Sequence, residues 1–279
     1  MKGCICLDID GTLTADPYHL SAHVIHVLKE LSRQGWMILF VTGRLYSFAY
    51  QLLRDISFPY VLAVQNGADL WYMPEKKRIA RTYLSSRLLP LLEMHCASIQ
   101  EDLIIYAGPD KGDFCYYRPE RFSKKMQEHL RHVESLSATP WQACTEFDFP
   151  KEEHFPLIKM LGTEDEMHAL AHALRQHTSF EASTVKDPLS QDVHLTLVTG
   201  PHVHKGSVIK TMRSLLPKDT IFIAAGDDRN DIPMLLEADF AIVMNTAHES
   251  LWQHADLLAE SAAKEGIIDA LLLATSKYL

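Results

Sequence analysis

The sequence predicts an α/β fold interrupted by an inserted α+β region, on the strength of three observations. Apolar runs near 3–9, 36–41, 60–64 and 221–225 each end in a polar break, and helical patterns follow them. That strand, break and helix rhythm builds a parallel sheet. From about residue 84 the texture changes to short strands interleaved with two or three helices, as in an α+β sheet with helices on one face. The chain has 279 residues, more than one domain usually holds, so two domains are expected: residues 1–83 with 191–279 as one, residues 84–190 as the other.

Composition narrows the function. A net charge of −9, from 27 basic and 36 acidic residues, argues against nonspecific nucleic-acid or anionic-membrane binding. A hydrophobic content of 47% and a charged content of 23% are ordinary for a folded soluble chain. The five cysteines are odd in number and contain no C-x-x-C pair, so a zinc site or a disulfide framework is not expected. No apolar run is long enough to span a bilayer, and no signal-like segment precedes Asp8. The expectation is a reduced, cytoplasmic protein, monomeric or a homodimer.

In chain order, Ile5, Leu7 and Ile9 make a buried strand that ends in Asp8-Ile9-Asp10-Gly11-Thr12. Residues two apart on an extended backbone share a face, so Asp8 and Asp10 point the same way. Two carboxylates this close repel unless a cation lies between them, and oxygen ligands suit Mg²⁺. A D-x-D pair taken alone is as readily an acidic turn. Leu20, Val24, Val27, Leu28 and Leu31 give a helix closed by Gly35. The strand at 36–41 then runs into Thr42-Gly43-Arg44, where a hydroxyl and a helix N-terminus can hold an anion or simply cap the helix.

After the strand at 60–64 comes Gln65-Asn66-Gly67-Ala68, a turn signal, and then a hairpin around the charged turn 74–78. In the inserted region Lys111, Tyr116, Tyr117 and Arg118 are candidate substrate-facing residues, although position alone favours a solvated face for each. His202 and His204 read more readily as polar surface than as metal ligands. Lys205 opens a helix. Gly226-Asp227-Asp228-Arg229-Asn230-Asp231 follows the strand at 221–225 and places three aspartates in five residues. That is more than capping needs, and it asks for a cation.

Taken together, Asp8-Ile9-Asp10-Gly11-Thr12-Leu13-Thr14, Val41-Thr42-Gly43-Arg44, Lys205-Gly206 and Gly226-Asp227 through Leu235 resemble, in order and spacing, the four motifs of the haloacid dehalogenase superfamily. Asn66-Gly67-Ala68 is similar to a signature of its Cof-type branch, subfamily IIB. The resemblance implies a Rossmann-like three-layer α/β/α core carrying an inserted C2B-type cap at 84–190. It implies a Mg²⁺-dependent phosphatase that hydrolyses a small phosphorylated metabolite, a sugar phosphate or similar, through an aspartyl-phosphate. Asp8 would be the nucleophile and Asp10 the general acid and base. Thr42 and Lys205 would hold the phosphoryl group. Asp8, the carbonyl of Asp10 and Asp227 would hold the metal, with Asp231 in support. Gly43, Arg44, Asn66 and Asn230 would line the substrate. A hexose phosphomutase on the same scaffold is the alternative. A non-catalytic phosphate binder fits less well, because it would need no acid/base such as Asp10.

Overall fold

The structure, a computed structural model, describes residues 2–137, 139–187, 189–190 and 192–278; residues 1, 138, 188, 191 and 279 of the expected domains lie outside them. In chain order the strands are β1 (Gly3–Leu7), β2 (Trp36–Val41), β3 (Tyr60–Val64), β4 (Asp69–Met73), β5 (Lys77–Arg81), β6 (Leu84–Ser85), β7 (Leu103–Tyr106), β8 (Cys115–Tyr117), β9 (Gln142–Ala143), β10 (His154–Phe155), β11 (Leu157–Gly162), β12 (Glu181–Lys186), β13 (His194–Thr199), β14 (Ile221–Gly226), β15 (Phe240–Met244) and β16 (Leu257–Ala259). The helices are α1 (Ala22–Arg33), α2 (Tyr46–Leu52), α3 (Leu89–Cys96), α4 (Lys124–Ser135), α5 (Glu164–Leu174), α6 (Lys205–Leu215), α7 (Ile232–Glu237), α8 (Glu249–Trp252) and α9 (Ile267–Ser276). The chain divides into two compact units. One comprises 1–44, 49–81 and 204–279; the other comprises 45–48 and 82–203.

In the first unit, eight strands among the described residues run in the order β16-β15-β14-β1-β2-β3-β4-β5. The six from β16 to β3 are parallel, and the β4–β5 hairpin adds two antiparallel strands at one edge. β1 is central and buried throughout. Alternation turns Cys4 and Cys6 to one face, where they pack with Val208, Ile209 and Met212 of α6 and Met234 and Leu235 of α7. β16 is a departure from the sequence reading. Leu257-Leu258-Ala259 is only three residues long between Asp256 and Glu260, too short for alternation to show, and it forms by pairing with β15.

In the second unit a six-stranded sheet runs β12-β13-β11-β7-β8-β9, antiparallel except for β8 with β9. On one face α3 and α5 pack Leu92, Met167, Leu170 and Leu174 against Leu103, Ile105, Ile158 and Met160. Thr163 and Glu166 start α5 with a reciprocal capping box, which satisfies two otherwise orphaned donors. The other face gathers Ile104, Tyr106, Leu157, Leu161 and Leu197 with Phe122 and with Met126 and Leu130 of α4. Helices therefore serve both faces, not one. The unit also reaches Val203, beyond the expected boundary at 190, because β13 pairs with β11 and β12.

Candidate active site

The first unit's site begins where β1 ends. Asp8 continues the Cys4 and Cys6 alternation toward the face covered by α6, and α6 opens with Lys205. Both side chains are buried, and Lys205 Nζ donates to Asp8 Oδ1 at 2.5 Å and to Asp231 Oδ1 at 2.6 Å. The other oxygen of Asp231 accepts the backbone N–H groups of Asp227 and Asp228 at 3.1 and 3.0 Å. Asp231 thus pins the loop after β14 and orients the lysine. Thr12 Oγ1 donates to Asp227 Oδ1 at 2.8 Å, tying the first loop to the fourth. Gly11 between them has φ +80°, and a Cβ there would lie 2.1 Å from Asp227 Oδ2. Only glycine meets both demands.

Three carboxylates share one ammonium. Ligand oxygens of Asp8, Asp227 and Asp231 all lie within 4.8 Å of one another, the one such acidic, histidine or cysteine group among the described residues. Burial pushes the Asp8 carboxyl well above the usual range; Lys205 opposes this, while Asp231, Asp227 and Asp10 add to it. Asp227 is pushed up to about 7 by burial and by Asp231, against the hydrogen bond from Thr12. Burial alone would lower the pKa of Lys205, but Asp231 and Asp8 outweigh it and hold the ammonium charged. An oxygen-only donor set with surplus negative charge fits a hard dication.

The remaining expected residues are placed as follows. Thr42 is buried; its Oγ1 accepts the Arg44 N–H at 3.1 Å, which leaves the hydroxyl proton to donate. Gly43 lies between Thr42 and Arg44 in this turn. The carboxylate of Asp10 stands outside the acidic trio. Arg44 grips it from two sides, Nε to Oδ2 at 2.8 Å and Nη2 to Oδ1 at 2.5 Å. A third donor of the guanidinium, Nη1, goes to the Pro17 carbonyl at 2.8 Å. Arg44, expected at the substrate, bonds Asp10. Asn66 is buried with φ 58°; its N–H donates to the Thr42 carbonyl, and its Oδ1 accepts Asn230 Nδ2 at 3.4 Å. Asn230 Oδ1 is buried with no hydrogen-bond partner among the described residues.

Sequence reading missed Thr12 as a support of Asp227, although its hydroxyl stood in the first motif. It also missed Gln65, wholly buried at φ 48°, whose amide oxygen and nitrogen both lack a partner among the described residues.

The second unit's expected substrate-facing residues are engaged elsewhere. Arg118 is buried and bonds both oxygens of Asp102 at 2.7 Å and Glu93 at 2.5 Å, with its guanidinium over the Phe147 ring. Lys111 pairs with Glu153 at 2.7 Å. Tyr116 packs edge-on against Phe114 and Phe149, and Tyr117 against Trp141. Each has a structural partner that lies too far along the chain to be read from spacing.

Comparison with known proteins adds four findings. The family model described as haloacid dehalogenase-like hydrolase matches residues 5–271. A phosphoglycolate phosphatase of Archaeoglobus fulgidus is 37% identical over 268 residues, covering 96% of this chain and 94% of that protein. A 5-amino-6-(5-phospho-D-ribitylamino)uracil phosphatase of Escherichia coli is 21% identical, covering 96% and 94%. Among solved structures, a HAD subclass IIB sugar phosphatase superposes with a TM-score of 0.77 at 17% identity, over 99% of this chain and 100% of that one.

Proposed function

The chain belongs to the haloacid dehalogenase-like hydrolases, and on that premise we propose that it is a Mg²⁺-dependent phosphatase of a small phosphorylated metabolite, working through an aspartyl-phosphate at Asp8. One observation carries the reading: two buried carboxylates bond a single ammonium and a third, half-buried, stands against them, a surplus of negative charge that a structural cluster would not keep.

Asp8, Asp227 and the backbone carbonyl of Asp10 would hold the metal, with Asp231 behind them. When bound, Mg²⁺ supplies charge neutralisation for the carboxylates and the phosphoryl oxygens. An Asp8 carboxylate oxygen attacks phosphorus and the ester oxygen leaves, taking a proton from Asp10. Water then attacks the aspartyl-phosphate as Asp10 takes that water's proton, and inorganic phosphate departs. Lys205 and the Thr42 hydroxyl donate to the phosphoryl oxygens, where charge develops. Arg44 acts through Asp10, holding its carboxylate in place. To deliver a proton, Asp10 has to give up part of that bidentate pairing. Asn66 and Asn230 line the same loops. The side chains that do the chemistry all belong to the first unit.

The test is phosphate release from a panel of phosphorylated metabolites, phosphoglycolate and sugar phosphates included. Chelator stops release, and Mg²⁺ restores it where Zn²⁺ alone does not. Formation of an isomeric phosphate ester without release of phosphate would replace this reading with a phosphomutase. Full activity in excess chelator would overturn the metal site.

A further inference from the structure

The turn Gln65–Gly67 that follows β3 is costly as folded. Gln65 and Asn66 sit at φ 48° and 58°, in the left-handed region that asparagine tolerates and glutamine seldom enters. Gln65 is also wholly buried, and neither polar atom of its carboxamide has a partner among the described residues. Backbone strain and an unsatisfied buried polar group each lower stability. A methionine there would avoid the second cost, so packing alone does not account for the amide.

The turn touches three loops of the active site, all of them in the first unit. The Gln65 N–H donates to the Arg44 carbonyl at 3.0 Å and the Asn66 N–H to the Thr42 carbonyl at 2.9 Å. Gly67 lies against the start of α6: a Cβ there would stand 2.8 Å from Val208 Cγ2 and 3.6 Å from the His204 carbonyl and Ser207 Oγ. Asn66 Oδ1 accepts Asn230 Nδ2 at 3.4 Å. Gln65 thus belongs to a turn wedged between Thr42, the helix that Lys205 opens and the loop of Asn230. Thr42, Lys205 and Asp8 are themselves buried, so burial does not set the amide apart from the groups that meet phosphorus.

Those groups are short of donors. Lys205 spends two of its three N–H bonds on Asp8 and Asp231, and Thr42 has one hydroxyl proton. A phosphoryl group in transfer spreads charge over three oxygens. A carboxamide brings two further N–H donors and no charge, so it leaves the balance between the carboxylates and a metal as it is.

We propose that Gln65 is a further phosphoryl-binding residue, donating from Nε2 to a terminal oxygen of the group that Thr42 and Lys205 hold. The proposal rests on the phosphatase reading above.

The test measures inhibition by inorganic phosphate of p-nitrophenyl phosphate turnover, with Mg²⁺, in the intact wild type, Q65M and Q65E. Urea unfolding of each without phosphate accompanies it. Methionine keeps close to the volume and removes both polar atoms, whereas glutamate keeps the shape and replaces the donor with an anionic acceptor. Q65M raises the inhibition constant of phosphate about tenfold and lowers kcat/KM at least as much, while its unfolding midpoint is kept or raised. Q65E loses about a hundredfold or more on both, because its carboxylate opposes the phosphoryl charge. Values for Q65M within about twofold of wild type overturn the proposal. A loss in Q65M that comes with a lowered midpoint also overturns it, since that marks an amide that only supports the turn. Undiminished activity of Q65E does the same. Absence of turnover in wild type across the panel of phosphate esters marks failure of the phosphatase reading itself.

Discussion

Each unit buries one cation between two carboxylates, and the two clusters differ in what surrounds them. Arg118 has Asp102 and Glu93 on its guanidinium and the Phe147 ring against its face, and the third carboxylate nearby, Glu146 at 3.6 Å, is itself paired with Arg121 at 2.7 Å. Lys205 has Asp8 and Asp231, but Asp227 stands within the same few ångströms and brings no charge partner of its own beyond a hydroxyl. One cluster is complete as it stands, while the other leaves a charge imbalance that only a further cation relieves. A buried ion pair is therefore no guide to function until its neighbours have been counted.

The largest effect that separates the clusters is chemical. Asp8→Asn keeps the shape but replaces the nucleophile with a poor one. Turnover of p-nitrophenyl phosphate falls by at least about a thousandfold, roughly 4 kcal/mol of barrier, while circular dichroism and the unfolding midpoint of the metal-free protein are kept or improved. Retention of more than a few per cent of wild-type rate would break the comparison.

Asp102→Ala should do the reverse. It removes two of the bonds that hold buried Arg118 and leaves it Glu93, at a cost of about 3 kcal/mol in urea unfolding. Turnover of the aryl phosphate, measured well below the new midpoint, stays close to wild type.

Titration sharpens the contrast further. The Asp227 carboxyl stands at about 7 in the folded state, above its unfolded value. The folded chain therefore holds the extra proton, and stability falls as pH rises from about 4 to 7. The loss is at most about 4 kcal/mol, at roughly 1.4 kcal/mol per unit. Asp187 in the second unit goes the other way. Burial would raise it, but His129 and the Leu189 N–H hold it below the usual range. Its contribution is present above its unfolded pKa and is lost as pH falls through the folded one. Unfolding midpoints of metal-free Asp227→Asn and Asp187→Asn across pH 3–8 should lose the neutral and the acid slope respectively. Mg²⁺ should flatten only the first.

The smallest effect belongs to Gln65. Gln65→Met removes two buried polar atoms that lack partners among the described residues, and should raise stability by about 1 kcal/mol in the same urea assay.

What could be read in advance followed from range along the chain. Strands announced by five or six apolar residues, and loops that break them with Asp, Thr or Gly, were legible because signal and structure are both local. The gathering of Asp8, Lys205, Asp227 and Asp231 was not a matter of spacing, since Lys205 and Asp8 are 197 residues apart; family resemblance supplied it. Where neither helped, the reading went astray. Arg118 looked like a surface cation because Asp102 and Glu93 lie 16 and 25 residues back. The pairing of Arg44 with Asp10 spans 34 residues and could not be read from spacing either.

The place of β1 in its sheet has a consequence for synthesis. β1 is hydrogen-bonded on one side to β2 and on the other to β14, and the whole of 82–203 is translated before β14 emerges. At roughly 5–20 residues per second, that edge of β1 waits about ten to forty seconds after β2 is available. Throughout that wait Cys4 and Cys6, whose thiols are inert once burial has raised them, Cys4 to about 12, ride on an unfinished strand. The nascent chain, rather than the finished enzyme, is the species exposed to oxidants and to pairing with a neighbour.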